Sequence, residues 1–347
     1  MNPRLLIIII AFISTLASCE KKDRRESSTS NNSIEQLVDK KNAWEYLEDI
    51  QRIADENQNH RSVSSPGGIA TANYITNQLH LIGFTPKALS FEFEKKNHEK
   101  IKGQNIIVDI TGKSDSIIMF GAHYDSVEMG PGINDNATGV AILLELASAL
   151  EELKIKPEKT IRFAFWDAEE EGVIGSSSYI KNLPELEKNK ITSYINIDMV
   201  GTKDPDILIL DGDGNSFKQM REDLKKNGMP DKEINKMVGE MEKRMPKPKP
   251  GSAELEKIID KYLKDKNIKY KDDIITSLST DTASFFQLSP TSGIVMTHDI
   301  LQKDGSLLFA PCYHQACDDI KNVNRTSFNI ALGLISHLVD KLAYVRK

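Results

Sequence analysis

TIRFAFWDAEEEG, residues 160–172, is the stretch of sequence that decides the fold. Its first seven residues form a largely apolar run, which is typical of a strand buried in the interior of a sheet. Three consecutive glutamates, residues 169–171, follow where the chain leaves that strand. Their mutual repulsion should lower stability, so their position at the end of a buried strand indicates a function that offsets it.

The segments on both sides of this strand indicate an α/β protein. Residues 117–122 are almost wholly apolar, as in a strand covered on both faces, and residues 138–153 form a helical pattern after a glycine-rich loop. Strands that alternate with helices predict a three-layer α/β/α sandwich around a mixed, mainly parallel central sheet. The other predicted strands lie at 87–93, 105–110, 194–198, 207–210 and 293–297. The other predicted helices lie at 34–59, at 176–182 and at 325–343, and one more follows the chain break at 66–68 and ends at about residue 81.

Length and composition are ordinary for a soluble globular protein. The chain has 347 residues, enough for one large α/β domain or two small ones, and 39% of them are hydrophobic. Its formal net charge of −6 gives no reason to expect nucleic-acid binding.

The N-terminal segment is not expected to belong to the fold, which we assign to residues 34–347. Residues 1–19 combine a positive charge, an apolar run that is short for a membrane span, and the end LASC (16–19), so we interpret them as a secretory signal peptide. LASC resembles a bacterial lipobox, which predicts lipidation of Cys19, and residues 20–33 predict a flexible tether. We therefore expect an exported lipoprotein, anchored to a membrane in the periplasm or at the cell surface. The alternative is an ordinary signal peptide cleaved near the same place.

Residues 216–272 interrupt the alternation of strands and helices. They are rich in Lys, Glu and Met, with helical patterns on both sides of a proline-rich linker at 246–251, and they predict a helical insertion. Two interpretations remain open, a solvated surface excursion or a lid over the active site. The preceding loop DGDGN (211–215), together with Glu222, has part of the ligand spacing of a calcium loop, but Ser216 occupies the position where such loops need glycine.

Metal-ligand residue types recur at the ends of the predicted strands. Their side chains should converge on one crevice, because the carboxyl ends of neighbouring parallel strands meet at one edge of a sheet. Imidazole and carboxylate ligands suit zinc, and two zinc ions that share a bridging carboxylate would need five such ligands and hold a bridging hydroxide. The candidates, in chain order, are His123, Asp135, the glutamates 169–171, Asp198 and His314.

Each of these residues alone has an ordinary explanation. A histidine at a strand end is often a hydrogen-bonded structural residue, and an aspartate in a Gly-Asn-rich loop usually serves a turn or a helix cap. A run of glutamates is usually solvated surface. The metal hypothesis therefore rests on the occurrence of five such groups in order, each near a strand end.

Five motifs resemble those of the aminopeptidase Y family (peptidase family M28), exopeptidases with two catalytic zinc ions. The secreted bacterial aminopeptidases are the type that the chain resembles most. The resemblance covers roughly residues 60–210 and 275–340. The motifs are GAHYDS (121–126), PGINDNATG (131–139), WDAEEEGVIGS (166–176), NIDMVG (196–201) and CYHQACD (312–318).

The resemblance implies a role for each candidate. Glu169 matches the general base, and Tyr313 matches a tyrosine that stabilises the tetrahedral oxyanion. Asp125 would orient the imidazole of His123, whereas Glu171 has no role and is expected to be solvated. The first zinc would take His123, Asp135 and Asp198, and the second would take Asp135, Glu170 and His314, so that Asp135 bridges the two ions.

Two further expectations concern the loops around the centre. The peptide bond after the bridging aspartate is cis in the family, and here this is the bond Asp135–Asn136. Cys312 and Cys317 flank the candidate ligand His314. Because an exported protein meets an oxidising environment, we predict a disulfide between them, the alternative being two free buried thiols.

The sequence departs from the family at a position that recognises the substrate. In relatives that select a free α-amino group, an arginine and a histidine flank the aspartate that matches Asp281. Here its neighbours are Thr280 and Thr282. The charged insertion just before this segment is a candidate for the source of a replacement.

The leading hypothesis is an aminopeptidase, a monomer that removes N-terminal residues from peptides by means of a water or hydroxide between two zinc ions. A carboxypeptidase or dipeptidase of the same family would need a basic pocket for the substrate carboxylate, and the sequence assigns none. Glutaminyl cyclase chemistry, on a related fold with one zinc, is disfavoured by the complete set of five ligands. A binding protein with an inactive peptidase domain is disfavoured because such proteins typically lose ligands or the base.

Overall fold

The structure, a computed structural model, describes residues 33–302 and 307–344. The predicted signal peptide, the lipidation of Cys19 and nearly all of the predicted tether lie outside the described residues and stay predictions. Within the described part of the chain, no helix is both long and apolar enough to cross a membrane.

A mixed sheet of eight strands organises the chain. The strands are β1 (Lys87–Glu94), β2 (Lys100–Ile110), β3 (Ser114–His123), β4 (Lys159–Trp166), β5 (Ile191–Asp198), β6 (Asp206–Leu210), β7 (Lys271–Asp273) and β8 (Thr291–Thr297). Their order across the sheet is β1-β2-β4-β3-β5-β8-β6-β7. The central strands β4, β3, β5 and β8 are parallel, whereas β1 with β2, β2 with β4, and β6 with β8 pair antiparallel. A separate antiparallel ribbon joins β9 (Ile300–Leu301) and β10 (Leu307–Leu308).

Helices cover both faces of this sheet, which confirms the predicted three-layer α/β/α class. The helices are α1 (Ile34–Leu37), α2 (Lys40–Glu56), α3 (Pro66–Ile82), α4 (Thr138–Leu153), α5 (Ile174–Asn182), α6 (Glu185–Lys188), α7 (Ser216–Lys226), α8 (Asp231–Arg244), α9 (Ser252–Asp265), α10 (Thr282–Phe285) and α11 (Arg325–Ala343). Side chains alternate along β3, so that Ile118 and Phe120 pack in the main core with α4, whereas Ile117 and Met119 pack on the opposite face with α5 and α10.

The structure differs from the predicted elements mainly at their ends. The single helix predicted over 34–59 is two helices, because the side chain of Asp39 accepts hydrogen bonds from the backbone N–H groups of Lys41 and Asn42 and so begins α2. The strand predicted at 105–110 begins earlier, at Lys100, where it pairs with β1. The short elements α6 and β7 were not predicted.

The three helices of the insertion have two different packing partners. α9 packs through Ile259 and Leu263 on the main core, beside α11. α7 and α8 instead form a second apolar cluster with Leu210 and Ile274, which belong to the segments on either side of the insertion. These two helices therefore share a core with the main domain and are not a wholly solvated excursion.

Candidate metal centre

The centre is built where three neighbouring strands end. β3 lies between β4 and β5 and is parallel to both, so their carboxyl ends meet at one edge of the sheet. His123 is the last residue of β3 and Asp198 is the last residue of β5. Glu169 and Glu170 follow shortly after Trp166, the last residue of β4. The topology thus places these groups together, as the strand-end pattern predicted.

A first group of candidate ligands consists of His123, Asp135 and Asp198, which are all buried. The Nε2 atom of His123 lies 3.2 Å from Asp135 Oδ1 and 3.5 Å from Asp198 Oδ1. A tetrahedral zinc ion with bonds of about 2.0–2.1 Å places its ligand atoms roughly 3.3 Å apart. The spacing of this group therefore suits one such ion.

A second group consists of Asp135, Glu170 and His314. The Nε2 atom of His314 lies 3.0 Å from Glu170 Oε2 and 3.4 Å from Asp135 Oδ2. These separations also fit the edges of a tetrahedron around one ion. Asp135 directs one carboxylate oxygen to each group, which is the arrangement that a bridging ligand needs.

The loop that carries Asp135 is held by Asp318. The peptide bond Asp135–Asn136 is cis, as the resemblance implies. Asp318 accepts hydrogen bonds from the backbone N–H groups of Asn134 and Asp135, both at 3.1 Å. Its main-chain carbonyl also accepts the N–H of Ile133. Asp318 was given no role from sequence, although its place at the end of the motif CYHQACD was the signal that could have singled it out.

Asp125 contacts both the histidine and the glutamate loop. Its Oδ1 atom lies 3.4 Å from Nδ1 of His123. Its two carboxylate oxygens also accept the backbone N–H groups of Glu169, at 3.1 Å, and Glu170, at 3.2 Å. Besides orienting the histidine, Asp125 therefore positions the main chain of the two glutamates.

His314 lies in a short loop closed by a disulfide between Cys312 and Cys317. The ring of Tyr313 stacks on the imidazole of His314, with the ring centroids 3.8 Å apart. Burial, together with the carboxylate of Asp135 and its neighbours, raises the pKa of Tyr313 above its usual value. Its hydroxyl therefore stays protonated near neutral pH and can donate a hydrogen bond.

Burial and crowded carboxylates dominate the electrostatics. Burial, reinforced by the charge of Asp135, raises the pKa of Glu170 to about 7. Burial also raises the pKa of Glu169 well above its usual value, with Asp281 adding to the effect. Although burial opposes it, the hydrogen bonds with its carboxylate partners raise the pKa of His314 to about 10. Cations bound at the centre would lower these pKa values, because a nearby positive charge favours the unprotonated forms.

Two buried oxygens in the centre have no hydrogen-bond partner, namely Glu170 Oε1 and Asp198 Oδ1. A buried carboxylate oxygen without a donor is costly, so a partner of another kind is expected. Mixed imidazole and carboxylate donors suit zinc. One of these two oxygens belongs to each group, and the residues of both groups therefore fit a bound cation.

The three consecutive glutamates have different surroundings. Glu170 belongs to the second group, and Glu169 lines the cavity beside the centre. Glu171 is exposed, as expected, and it forms an ion pair with Lys95, with Nζ and Oε1 2.5 Å apart. The turn after β1 brings this lysine to Glu171, so the carboxylate of Glu171 interacts with solvent and Lys95 and not with the centre.

A buried arginine, which no sequence pattern marked, connects the loops that carry the candidate ligands. The fully buried guanidinium of Arg61 donates hydrogen bonds to the main-chain carbonyls of Pro131, at 2.8 Å, of Gly132, at 2.6 Å, and of Tyr124. Burial lowers its pKa to about 10, although the carboxylate of Asp125 opposes this effect. A single arginine in a loop carries no sequence signal of such a role.

Asp281 is buried near the centre and has no basic neighbour in sequence. The hydroxyl of Ser176 donates to its Oδ1 at 2.5 Å, whereas its Oδ2 has no hydrogen-bond partner. Burial raises the pKa of Asp281 to about 7. The hydroxyls of Thr280 and Thr282 bond to each other at 3.0 Å. Among the described residues that line the cavity beside the centre, none is a lysine or arginine that could replace the family's arginine.

The candidate calcium loop brings Asp211 and Asp213 together with Glu256 and not with Glu222. The carboxylate of Asp211 accepts the N–H groups of Gly214, Asn215 and Ser216. Glu256 accepts two further N–H groups of the loop. The carboxylates of Asp211 and Glu256 thus have hydrogen-bond donors from the backbone of the loop, and they stabilise the loop without a bound calcium ion.

Known proteins are similar to this chain in sequence and in fold. The match to peptidase family M28 extends over residues 105–339. The chain belongs to this family. The M28 chain is 32% identical over 260 residues to an aminopeptidase of Pseudomonas aeruginosa (strain UCBPP-PA14), and this alignment covers 72% of the chain and 43% of that protein. The chain spans less than half the length of the curated relatives that it matches first.

Solved structures with two different activities share the fold of this M28 chain. A zinc aminopeptidase from Bacillus subtilis has a TM-score of 0.65 at 15% identity, covering 89% of the chain and 96% of that structure. A glutaminyl cyclase from Porphyromonas gingivalis has a TM-score of 0.66 at 15% identity, covering 88% of the chain and 99% of that structure. Identities this low establish the fold alone and do not choose between the two activities.

Proposed function

We propose that this M28 chain is an aminopeptidase that removes N-terminal residues from peptides and binds two zinc ions. The observation that carries the proposal is the pair of ligand groups that share Asp135, with Glu169 beside them. His123 and Asp198 would complete the first zinc site, and Glu170 and His314 the second. When bound, the ions would hold the attacking water between them, lower its pKa and polarise the scissile carbonyl.

The residues beside the ligands supply the proton transfer and the stabilisation of charge. The carboxylate of Glu169 is proposed to accept a proton from the attacking water and to pass it to the nitrogen of the leaving amine. The hydroxyl of Tyr313, protonated and stacked against His314, would donate a hydrogen bond to the oxyanion that forms on the scissile carbonyl. Asp125 would keep the backbone of Glu169 in place through its hydrogen bond to the amide.

The cavity beside the centre favours an N-terminal over a C-terminal substrate. A carboxypeptidase must bind the terminal carboxylate of its substrate, which usually requires lysine or arginine. Among the described residues that line the cavity, no side chain of either kind is present. The charged residues there are the carboxylates and the histidine of the centre, so the described lining offers no basic side chain of its own for a terminal carboxylate.

A panel of aminoacyl-p-nitroanilides, each with a free and an N-acetylated amine, tests the proposal. We expect the full-length, zinc-loaded protein to cleave only the substrates with a free amine and to lose this activity with a chelator. Glu169→Gln should lower kcat by at least about 100-fold, because it removes the general base. Glu171→Gln is the matched control, since Glu171 pairs with Lys95 outside the centre, and it should keep the activity.

Cleavage of the acetylated substrates, or full activity in Glu169→Gln, would contradict the aminopeptidase proposal. The same experiment includes peptides with N-terminal glutamine, from which a glutaminyl cyclase would release ammonia. Release of ammonia without hydrolysis of any free-amine substrate would show that the protein is a glutaminyl cyclase and not an aminopeptidase.

We also propose that the chain acts as a monomer outside the cytoplasm, anchored through a lipid on Cys19. The disulfide between Cys312 and Cys317 supports export, because such bonds persist in oxidising compartments. Fractionation of cells that express the wild type and Cys19→Ser tests the anchor. The variant should leave the membrane fraction, and a wild type that is never membrane-bound would contradict the proposal.

A further inference from the structure

A cavity of about 180 Å³ opens directly beside Glu169 and Asp198. Residues of the segment 275–280, namely Ile275, Thr276, Ser279 and Thr280, form one part of its wall, and Phe309 and Tyr313 also line it. If the scissile carbonyl lies at the centre, the side chain of the first substrate residue enters this cavity, because the cavity shares its lining with the centre.

The lining outside the centre is uncharged among the described residues. Met199, Val295 and Ile275 present apolar surface, and Thr276 and Thr297 present hydroxyls. A cavity of about 150 Å³ lined by aliphatic side chains accommodates a benzene ring. A space of this size therefore suits a branched aliphatic or ring-sized side chain without charge.

The wall segment that carries Ile275 is held by hydrogen bonds from Asp273 and by apolar contacts with the cluster of α7 and α8. Asp273 accepts the backbone N–H groups of Thr276, at 2.7 Å, and Ser277, at 3.1 Å, which fixes the start of this segment. Ile275 lines the cavity and also packs against the apolar cluster that holds α7 and α8. The buried side chain of Val238 on α8 belongs to that cluster but does not line the cavity.

We propose that the helical insertion is a specificity element, which sets the size of the first substrate side chain by supporting the wall residue Ile275. The inference rests on the proposed aminopeptidase function and adds to it a preference for uncharged substrates with leucine- to phenylalanine-sized side chains. None of the residues that line the cavity belongs to α7 or α8, so in this proposal the two helices act through Ile275 and not by touching the substrate.

Two substitutions of Ile275 test the wall directly, with leucine, phenylalanine, alanine, lysine and glutamate p-nitroanilides as substrates. One methylene more or less in an apolar pocket changes kcat/KM by roughly 10- to 200-fold. Ile275→Ala enlarges the cavity and should lower the ratio of kcat/KM for leucine over phenylalanine by about tenfold. Ile275→Phe fills the cavity and should raise the ratio for alanine over leucine by about the same factor.

A second pair of variants on one helix tests the support. Val238→Ala loosens the apolar cluster that supports Ile275, although Val238 itself does not line the cavity. It should change the ratio of kcat/KM for leucine over phenylalanine by about threefold, and the change should lie in KM more than in kcat. Met237→Ala is the matched control, because Met237 is on the same helix but 40% exposed. A ratio that is unchanged in Val238→Ala, or shifted equally in Met237→Ala, would overturn the role of the insertion.

The outcomes separate this inference from the proposed function. Two results would overturn the inference and leave the aminopeptidase proposal intact. One is a wild type that cleaves free-amine substrates but prefers lysine or glutamate. The other is an Ile275→Ala variant whose ratio of kcat/KM for leucine over phenylalanine is unchanged. A wild type that cleaves nothing overturns the proposed function. In that case, calorimetric binding of leucine and phenylalanine hydroxamates to the zinc-loaded wild type and Ile275→Ala still decides the inference, which requires the same shift in relative affinity.

Discussion

Replacement of Arg61 by methionine should disorganise both ligand loops at once. The guanidinium holds the carbonyl of Tyr124, which lies between the candidate ligand His123 and Asp125, and the carbonyls of Pro131 and Gly132, which precede the proposed bridging ligand. Methionine fills much of the same volume but can donate no hydrogen bond. Three buried carbonyls would then lose their donor.

The expected loss of stability follows from these contacts. A hydrogen bond to a charged group contributes about 1.5–3 kcal/mol, and three are removed. Removal of a buried charge relieves a desolvation penalty, which offsets part of this loss. We therefore expect the free energy of unfolding to fall by about 3–5 kcal/mol, in the range found when one partner of a buried ionic interaction is deleted. Metal affinity should fall by roughly 10- to 100-fold, as is typical when residues that orient metal ligands are lost.

Urea unfolding of the metal-free protein and competition for zinc with a chromophoric chelator measure the two effects separately. Arg61→Lys is the matched control, which keeps the charge but cannot donate in the same fork geometry, and it should recover part of the stability and part of the zinc affinity. If Arg61→Met bound zinc and unfolded like the wild type, the assignment of Arg61 as a positioning residue would be refuted.

Three further predictions concern other parts of the structure. Asp125→Asn leaves only one accepting side-chain oxygen, that of the amide, for the two N–H groups of the glutamate loop. It should weaken zinc binding by roughly 10- to 100-fold in the same competition assay, with little change in the circular dichroism spectrum. Burial raises the pKa of Glu145, on α4, to about 7, so its contribution to stability is present below its unfolded value of 4.5 and is lost as the pH rises through the folded value. The unfolding free energy of the wild type relative to Glu145→Gln should therefore fall by about 2 to 3 kcal/mol between about pH 5 and about pH 8, and a pH-independent difference would argue against a raised pKa. Cys317→Ser removes the disulfide that closes the loop of His314. The variant should bind zinc more weakly than the wild type but keep most of its kcat when zinc is saturating. A zinc affinity equal to that of the wild type would show that the disulfide does not position the histidine.

The strand-end ligands could be predicted from sequence because topology alone brings them together. His123 and Asp198 end neighbouring parallel strands, so an apolar run followed by a ligand-type residue was enough to place each one. The proposed bridging position of Asp135 and the proposed roles of Glu169 and Tyr313 came from the resemblance to a family and not from periodicity. The fold class followed from alternating strands and helices, whereas the ends of α2 and β2 depended on a cap and on pairing that periodicity does not show.

The residues behind the ligands could not be predicted because long-range packing determines their roles. Arg61 lies far from its carbonyl partners in sequence, and its role appears only when the loops are assembled. Ile275 follows the insertion and gives no pattern that marks it as the wall of a cavity. The pairing of Glu171 with Lys95 likewise depends on the turn that β1 and β2 form.

The count of bound zinc ions in a set of ligand variants, by native mass spectrometry, tests most directly whether two metal ions share Asp135. We predict two ions per chain in the wild type, one in His123→Ala, and one in His314→Ala, since each histidine belongs to a single group. Glu169→Gln should keep both ions, because this residue belongs to neither group. Asp135→Ala should lose both ions at zinc concentrations that saturate the wild type. A wild type that binds a single ion, or an Asp135→Ala variant that keeps one as firmly as the histidine variants do, would contradict a shared, bridging carboxylate.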